Sequence, residues 1–137
     1  ERGMPAPEGG PRIAVVDDDP NHVEALGRLL ELHLPEAEVR TAHDGFQGGM
    51  LVTELKPDVL FLDYRMPGGD GAEICRSIRA APALAGTRII VISGHADDAL
   101  ARELKALGAE RVLTKPVRPE LILAALEPYL PAVEQAG

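Results

Sequence analysis

Two rhythms of hydrophobic positions alternate along the chain, one suited to buried strands and the other to amphipathic helices. Ile13 to Val16 is a short continuous apolar run, followed closely by Asp19-Pro20. Asp is a favoured helix N-cap and Pro a favoured first helical residue, so the pattern predicts a strand leading into a helix. That helix carries Val23, Leu26, Leu29 and Leu30 on one side, at steps of three and four, and stops near Leu34-Pro35. Glu38 to Ala42 alternates polar and apolar residues, as a strand with one exposed side does. A helix from about Gly45 to Leu55 is stopped by Lys56-Pro57, and Val59 to Leu62 is a second fully apolar strand.

A loop from Tyr64 to Gly69 leads to a helix from about Asp70 to Arg79, with Ile74 and Ile78 four apart. Arg88 to Ile92, rich in Ile and Val, is the third apolar strand. Ala96 to Leu107 reads as a helix with Asp97 and Asp98 in its first turn, Lys105 near its last and Gly108 as C-terminal cap. Arg111 to Thr114 is a short strand and Pro119 to Tyr129 the closing helix.

Strands that alternate with amphipathic helices imply parallel pairing and right-handed crossovers. The first, third and fourth strands are continuous apolar runs, as expected with helices on both faces, whereas the second and fifth carry polar residues, as edge strands do. The expected fold is therefore a doubly wound, flavodoxin-like α/β domain with five parallel strands in the order 2-1-3-4-5. Its topological switch point falls between strands one and three, where ligands bind outside the carboxyl ends.

The candidate chemistry gathers at that edge. Asp17, Asp18 and Asp19 follow the first strand, Asp63 ends the third, and Ser93 and Lys115 follow the fourth and fifth. Carboxylates crowded together repel, so the arrangement makes sense mainly as a seat for a divalent cation. Taken singly each piece has a plainer explanation: a helix start, a capping Asp, a simple turn, a solvated lysine. Together they place carboxylates, a hydroxyl and an ammonium on one edge, a set suited to phosphoryl chemistry.

These pieces resemble the receiver domain of bacterial two-component response regulators, of the chemotaxis-regulator kind. The matching segments are Val15-Val16-Asp17-Asp18, Leu62-Asp63 followed by Met66-Pro67-Gly68-Gly69-Asp70-Gly71, Val91-Ile92-Ser93-Gly94, and Leu113-Thr114-Lys115-Pro116, within about Pro11 to Leu130. The resemblance implies that Asp63 is the nucleophile that accepts a phosphoryl group from a phosphohistidine on a histidine kinase or phosphotransfer protein. It implies Mg²⁺ (or Mn²⁺) bound by Asp18 and Asp63 directly, by Asp17 through water and by the backbone carbonyl of Arg65. Lys115 would pair with a phosphoryl oxygen, Ser93 would swing inward to bond another, and the Lys115-Pro116 peptide would be cis.

The same resemblance places a remote readout on the fourth helix, fifth strand and fifth helix. The position three before Lys115, often an aromatic that flips with the hydroxyl, is Val112 here. A valine has no ring to bury or expose, so a smaller or differently routed output change is expected. Arg65, two after Asp63, and His95, two after Ser93, are expected to flank the phosphoryl group and to set the lifetime of the phosphorylated state. His22, His33 and His43 show no metal-ligand spacing and read as surface or boundary residues.

Composition narrows the remaining choices. At 137 residues the chain has the size of one domain, and its net charge of −8 argues against nucleic acid binding and against an anionic membrane surface. No apolar run approaches the roughly 20 residues of a membrane-spanning helix. The single Cys75, beside Ile74 in a helical pattern, leaves no internal disulfide and suits a reducing cytoplasm. Residues 1–10, with Pro5, Pro7, Gly9 and Gly10, read as linker or cloning remnant, residues 11–130 as the domain and residues 131–137 as a C-terminal tail. The resemblance admits a homodimer of such domains.

Two other classes compete. A phosphatase of the haloacid dehalogenase type would use Asp17 as nucleophile, Asp19 as acid/base, Ser93 and Lys115. It leaves no room after Pro20 for the usual insert, and it offers neither an acidic pair after Lys115 nor a use for Met66 to Gly71. A receiver-like interaction module that is never phosphorylated would not need the full set of phosphorylation residues present here. An enzyme with a diffusible substrate is not expected.

Overall fold

The apolar runs become the inner strands of a five-stranded parallel sheet in the computed structural model, which describes residues 10–68, 70–95 and 97–131. Strands β1 (Arg12–Val16), β2 (Glu38–Ala42), β3 (Val59–Asp63), β4 (Arg88–Ser93) and β5 (Ala109–Thr114) pair in the order β2-β1-β3-β4-β5. Between them run α1 (Pro20–His33), α2 (Gly45–Leu55), α3 (Gly71–Ala80) and α4 (Asp98–Ala106), and α5 (Pro119–Ala125) follows. Strand order and alternation are those expected from the hydrophobic pattern. Apart from Gly10 and Pro131, the anticipated linker and tail lie outside the described residues, as do Gly69 and Ala96. No helix among the described residues is long and apolar enough to cross a membrane.

Successive strand residues point to opposite faces, so the sheet divides two cores. Ala14, Val16, Leu60, Leu62, Ile89 and Val91 pack with α2, α3 and α4; Ile13, Val15, Val59, Phe61, Ile90 and Ile92 pack with α1 and α5. Gly48 lets α2 lie close to β1, since a Cβ there would stand 2.6 Å from Val16 Cγ1. Helix starts follow the acidic caps: Asp19, Asp44, Asp70 and Asp97 each accept a backbone N–H of the first turn. Asp97 is thus the cap of α4, not part of its first turn, and the helix begins two residues later than the pattern suggested.

Two further boundaries moved. The fifth strand starts at Ala109 instead of Arg111, because the register shifts between Ile89 and Ile90. At this irregularity Glu110 reaches Arg88 through two bonds, Nε to Oε1 at 2.7 Å and Nη2 to Oε2 at 2.5 Å. The closing helix ends at Ala125 and gives way to a 3₁₀ turn over Glu127–Tyr129. Pro128 has no N–H for the carbonyl four residues back, and its ring would crowd it, so the α-helix cannot pass. Cys75 is fully buried, and burial pushes its thiol up to about 11, consistent with a packing role.

Candidate functional site

Parallel pairing brings the carboxyl ends of the strands to one edge, and the residues singled out above stand there. Asp17 follows β1 and donates its backbone N–H to the Ala42 carbonyl at 3.1 Å. Asp63 ends β3 and Ser93 ends β4, with Lys115 one residue past β5. Oxygens of Asp17, Asp18 and Asp63 lie within 4.8 Å of one another. Asp17 and Asp63 are buried, at 2% and 6% exposure, while Asp18 faces solvent. Lys115 Nζ stands 3.5 Å from both Asp17 Oδ2 and Asp63 Oδ1.

The two buried carboxylates differ in their surroundings. Asp17 Oδ1 accepts the Asp19 backbone N–H at 2.9 Å, and Oδ2 lies 2.5 Å from His22 Nδ1. Burial alone would raise its pKa, but the His22 bond, the Asp19 N–H and the Lys115 charge outweigh it and hold the group below the usual value of 3.8. Asp63 is pushed up to about 6, first by burial and then by the negative charge of Asp17, which Lys115 offsets only in part. Oxygen-only donors with too little positive charge nearby fit a hard divalent cation such as Mg²⁺ or Mn²⁺.

Around this centre the fold supplies a hydroxyl and a loop tied down by backbone hydrogen bonds. Ser93 is buried, and its Oγ accepts the His95 backbone N–H at 3.1 Å. The Ser93 carbonyl accepts the Lys115 N–H at 2.8 Å, and the Lys115-Pro116 peptide is cis. The loop after Asp63 is tied to α2 by Gly45 N–H to the Pro67 carbonyl at 2.9 Å, and Gly71 N–H bonds the Tyr64 carbonyl. Gly68, at φ +83°, sits where a Cβ would stand 3.2 Å from the Phe46 nitrogen, so this turn favours glycine. Arg65 and His95 have exposed side chains, the Arg65 guanidinium lying 5.9 Å from the Tyr64 ring centre. Val112 is half-buried against the core beneath α2, α3 and α4.

One contact of the site was not foreseen from the sequence. His22 is a boundary residue, as expected, but its half-buried ring also touches Asp17. It occupies the third position of α1, and helix side chains lean toward the N-terminus, where Asp17 lies. That geometry was the available signal, and no metal-ligand spacing carries it. His33 is half-buried and His43 exposed; neither joins the acidic group.

Comparison with known proteins agrees with this geometry. A family model described as "Response regulator receiver domain" matches residues 13–127. The curated "Probable transcriptional regulatory protein NarL" of Mycobacterium tuberculosis is 36% identical over 117 residues, covering 85% of this chain and 53% of that protein. "Response regulator MprA" of Mycobacterium avium is 35% identical over 121 residues, covering 87% and 50%. The chain thus spans about half the length of these relatives. Among solved structures, the signal receiver domain of a DNA binding response regulator protein from Colwellia psychrerythraea aligns with a TM-score of 0.82 at 33% identity, covering 85% of this chain and 95% of that one. The receiver domain of the putative response regulator NarL from M. tuberculosis aligns with a TM-score of 0.77 at 34% identity, covering 85% and 92%.

Proposed function

The chain belongs to the response regulator receiver domain family, and from that membership we propose that Asp63 accepts a phosphoryl group from the phosphohistidine of a histidine kinase or phosphotransfer protein. The observation that carries this reading is a buried Asp63 facing Lys115 at 3.5 Å beside two further carboxylates. An Asp63 carboxylate oxygen attacks phosphorus; the new P–O bond forms as the P–N bond breaks, and the imidazole nitrogen leaves with its electron pair. Asp18 and Asp63, with the Arg65 backbone carbonyl and with Asp17 through water, would hold Mg²⁺ or Mn²⁺, which neutralises charge on the transferring group when bound.

Lys115 exchanges its contact with Asp63 for a phosphoryl oxygen. Ser93 Oγ accepts the His95 N–H, and its own proton would be donated to another phosphoryl oxygen once the group is in place. The consequence is a shift of the surface formed by α4, β5 and α5, with Val112 passing it on by packing and not by a turning ring. Such a domain forms and loses its own aspartyl phosphate in the cytoplasm without turning over a diffusible substrate, and a homodimer is one outlet for the altered surface. Arg65 and His95, both exposed at the rim, govern access of water to the acyl phosphate.

Intact mass after incubation with acetyl phosphate tests the reading. A gain of one phosphoryl group that requires Mg²⁺ is expected. A gain that survives Asp63→Asn and vanishes in Asp17→Asn would transfer the case to a phosphatase. Neither uptake nor binding of beryllofluoride would leave an interaction module. After donor removal, Arg65→Ala and His95→Ala are expected to change the decay rate of the gained mass; unchanged decay in both would mean that these side chains only face solvent.

A further inference from the structure

The acidic edge contains a contact that the proposed phosphoryl transfer does not use. His22 Nδ1 lies 2.5 Å from Asp17 Oδ2, across the gap between the end of β1 and the third residue of α1. Asp17 is 2% exposed, and the Asp19 N–H already holds its other oxygen. A buried carboxylate oxygen left without a donor is costly, and a carboxylate held at one oxygen alone is free to turn. We infer that His22 is a positioning residue, whose Nδ1–H fixes Asp17 Oδ2 so that this carboxylate keeps facing the cation the edge takes.

The inference rests on the receiver reading above, because it presupposes that the edge binds a divalent cation. Both the imidazolium and the Nδ1–H tautomer carry the required donor, so the contact does not depend on the charge of the ring. Partners that orient a cation's ligands from behind typically matter tenfold or more in affinity. Here the Asp19 N–H would remain after the ring is lost, which places the effect at the low end. Lys115 cannot replace His22, since at 3.5 Å from each of Asp17 and Asp63 its ammonium is shared between them.

Calorimetric titration of the metal-free protein with Mg²⁺, at fixed pH and ionic strength, tests this without any phosphoryl donor. His22→Leu keeps an apolar side chain beside Ala25, Leu26 and Leu29, which line the same groove, and removes the donor. His22→Asn places an amide N–H where Nδ1 stands and restores it. His22→Leu is expected to bind Mg²⁺ about tenfold more weakly, and His22→Asn to stay near the wild-type affinity. Thermal unfolding in chelator checks that both variants are folded. Undiminished binding in His22→Leu, or binding by His22→Asn as weak as by His22→Leu, would overturn the inference alone. A wild-type protein that binds no Mg²⁺ would overturn it together with the receiver reading.

Discussion

Asp63→Asn is expected to abolish phosphoryl uptake and also to make the metal-free protein more stable at neutral pH, by on the order of 2 kcal/mol. Loss of uptake follows from removing the attacking oxygen, since an amide is no nucleophile at phosphorus. The gain in stability follows from the raised pKa. The buried Asp63 titrates near 6 in the folded chain, against 3.8 for an unperturbed carboxyl. Between those values the folded state keeps a proton that the unfolded state has released. Stability of the metal-free wild type therefore falls as pH rises from about 4 to about 6 and stays lower above that window.

Asp17 has the opposite sign: its lowered pKa stabilises the fold above 3.8, and that contribution is lost as pH falls below it. The two carboxylates thus act in separate pH windows. Urea unfolding of wild type and Asp63→Asn across pH 4 to 8 reads the Asp63 effect, since the Asp17 window lies below that range. Curves for the two proteins that run parallel over this range would show that Asp63 carries no folding penalty. Saturating Mg²⁺ is expected to abolish the decline in the wild type and to leave the variant nearly unchanged, because a cation that binds the folded state offsets the buried charge.

Lys115→Met is expected to change two properties in opposite directions. Phosphoryl uptake from acetyl phosphate slows by about a hundredfold, the usual scale for removing one charge-stabilising donor aimed at the transferring group. Mg²⁺ binding in the absence of donor becomes tighter, because Nζ at 3.5 Å from Asp17 and Asp63 competes electrostatically with any cation at those oxygens. A single-turnover time course followed by mass, beside a Mg²⁺ titration, separates the effects. Parallel losses in both would mean that the substitution disrupts the edge in general and that Lys115 has no distinct role toward the phosphoryl group.

Much of this was legible in the sequence, because the signals are local. Val59 to Leu62 and Arg88 to Ile92 declare themselves as strands buried on both faces, and Asp19-Pro20 declares a helix start. Asp63 and Ser93 are legible as site candidates for the same reason: each is the first polar residue after an apolar run. What stayed hidden depends on partners distant in sequence or on geometry without a composition signature. The early start of β5 rests on a register shift against β4 and on the pairing of Glu110 with Arg88, 22 residues away. The end of α5 was readable in principle from Pro128, whose missing N–H outweighs the helical pattern of Leu123 and Leu126 around it. The role of His22 emerges only when the lean of helix side chains brings it back over the preceding strand.

The unequal anchoring of the two buried carboxylates has a consequence for how change is confined within the site. Asp17 is moored from three directions, by the Asp19 backbone, the His22 ring and the Lys115 ammonium. Among the described residues, Asp63 is moored by Lys115 and otherwise looks onto other carboxylates. One acid is held as a stator and the other is left as the part open to change: protonation, cation binding or phosphorylation would alter Asp63 while the charge beside it stays put. Lys115, with one fixed partner and one variable partner, would feel any such alteration as a change in the balance between its two contacts. The backbone N–H of Lys115 is meanwhile bonded to the carbonyl of Ser93, so the residue that carries this ammonium also stands where two neighbouring strands are joined.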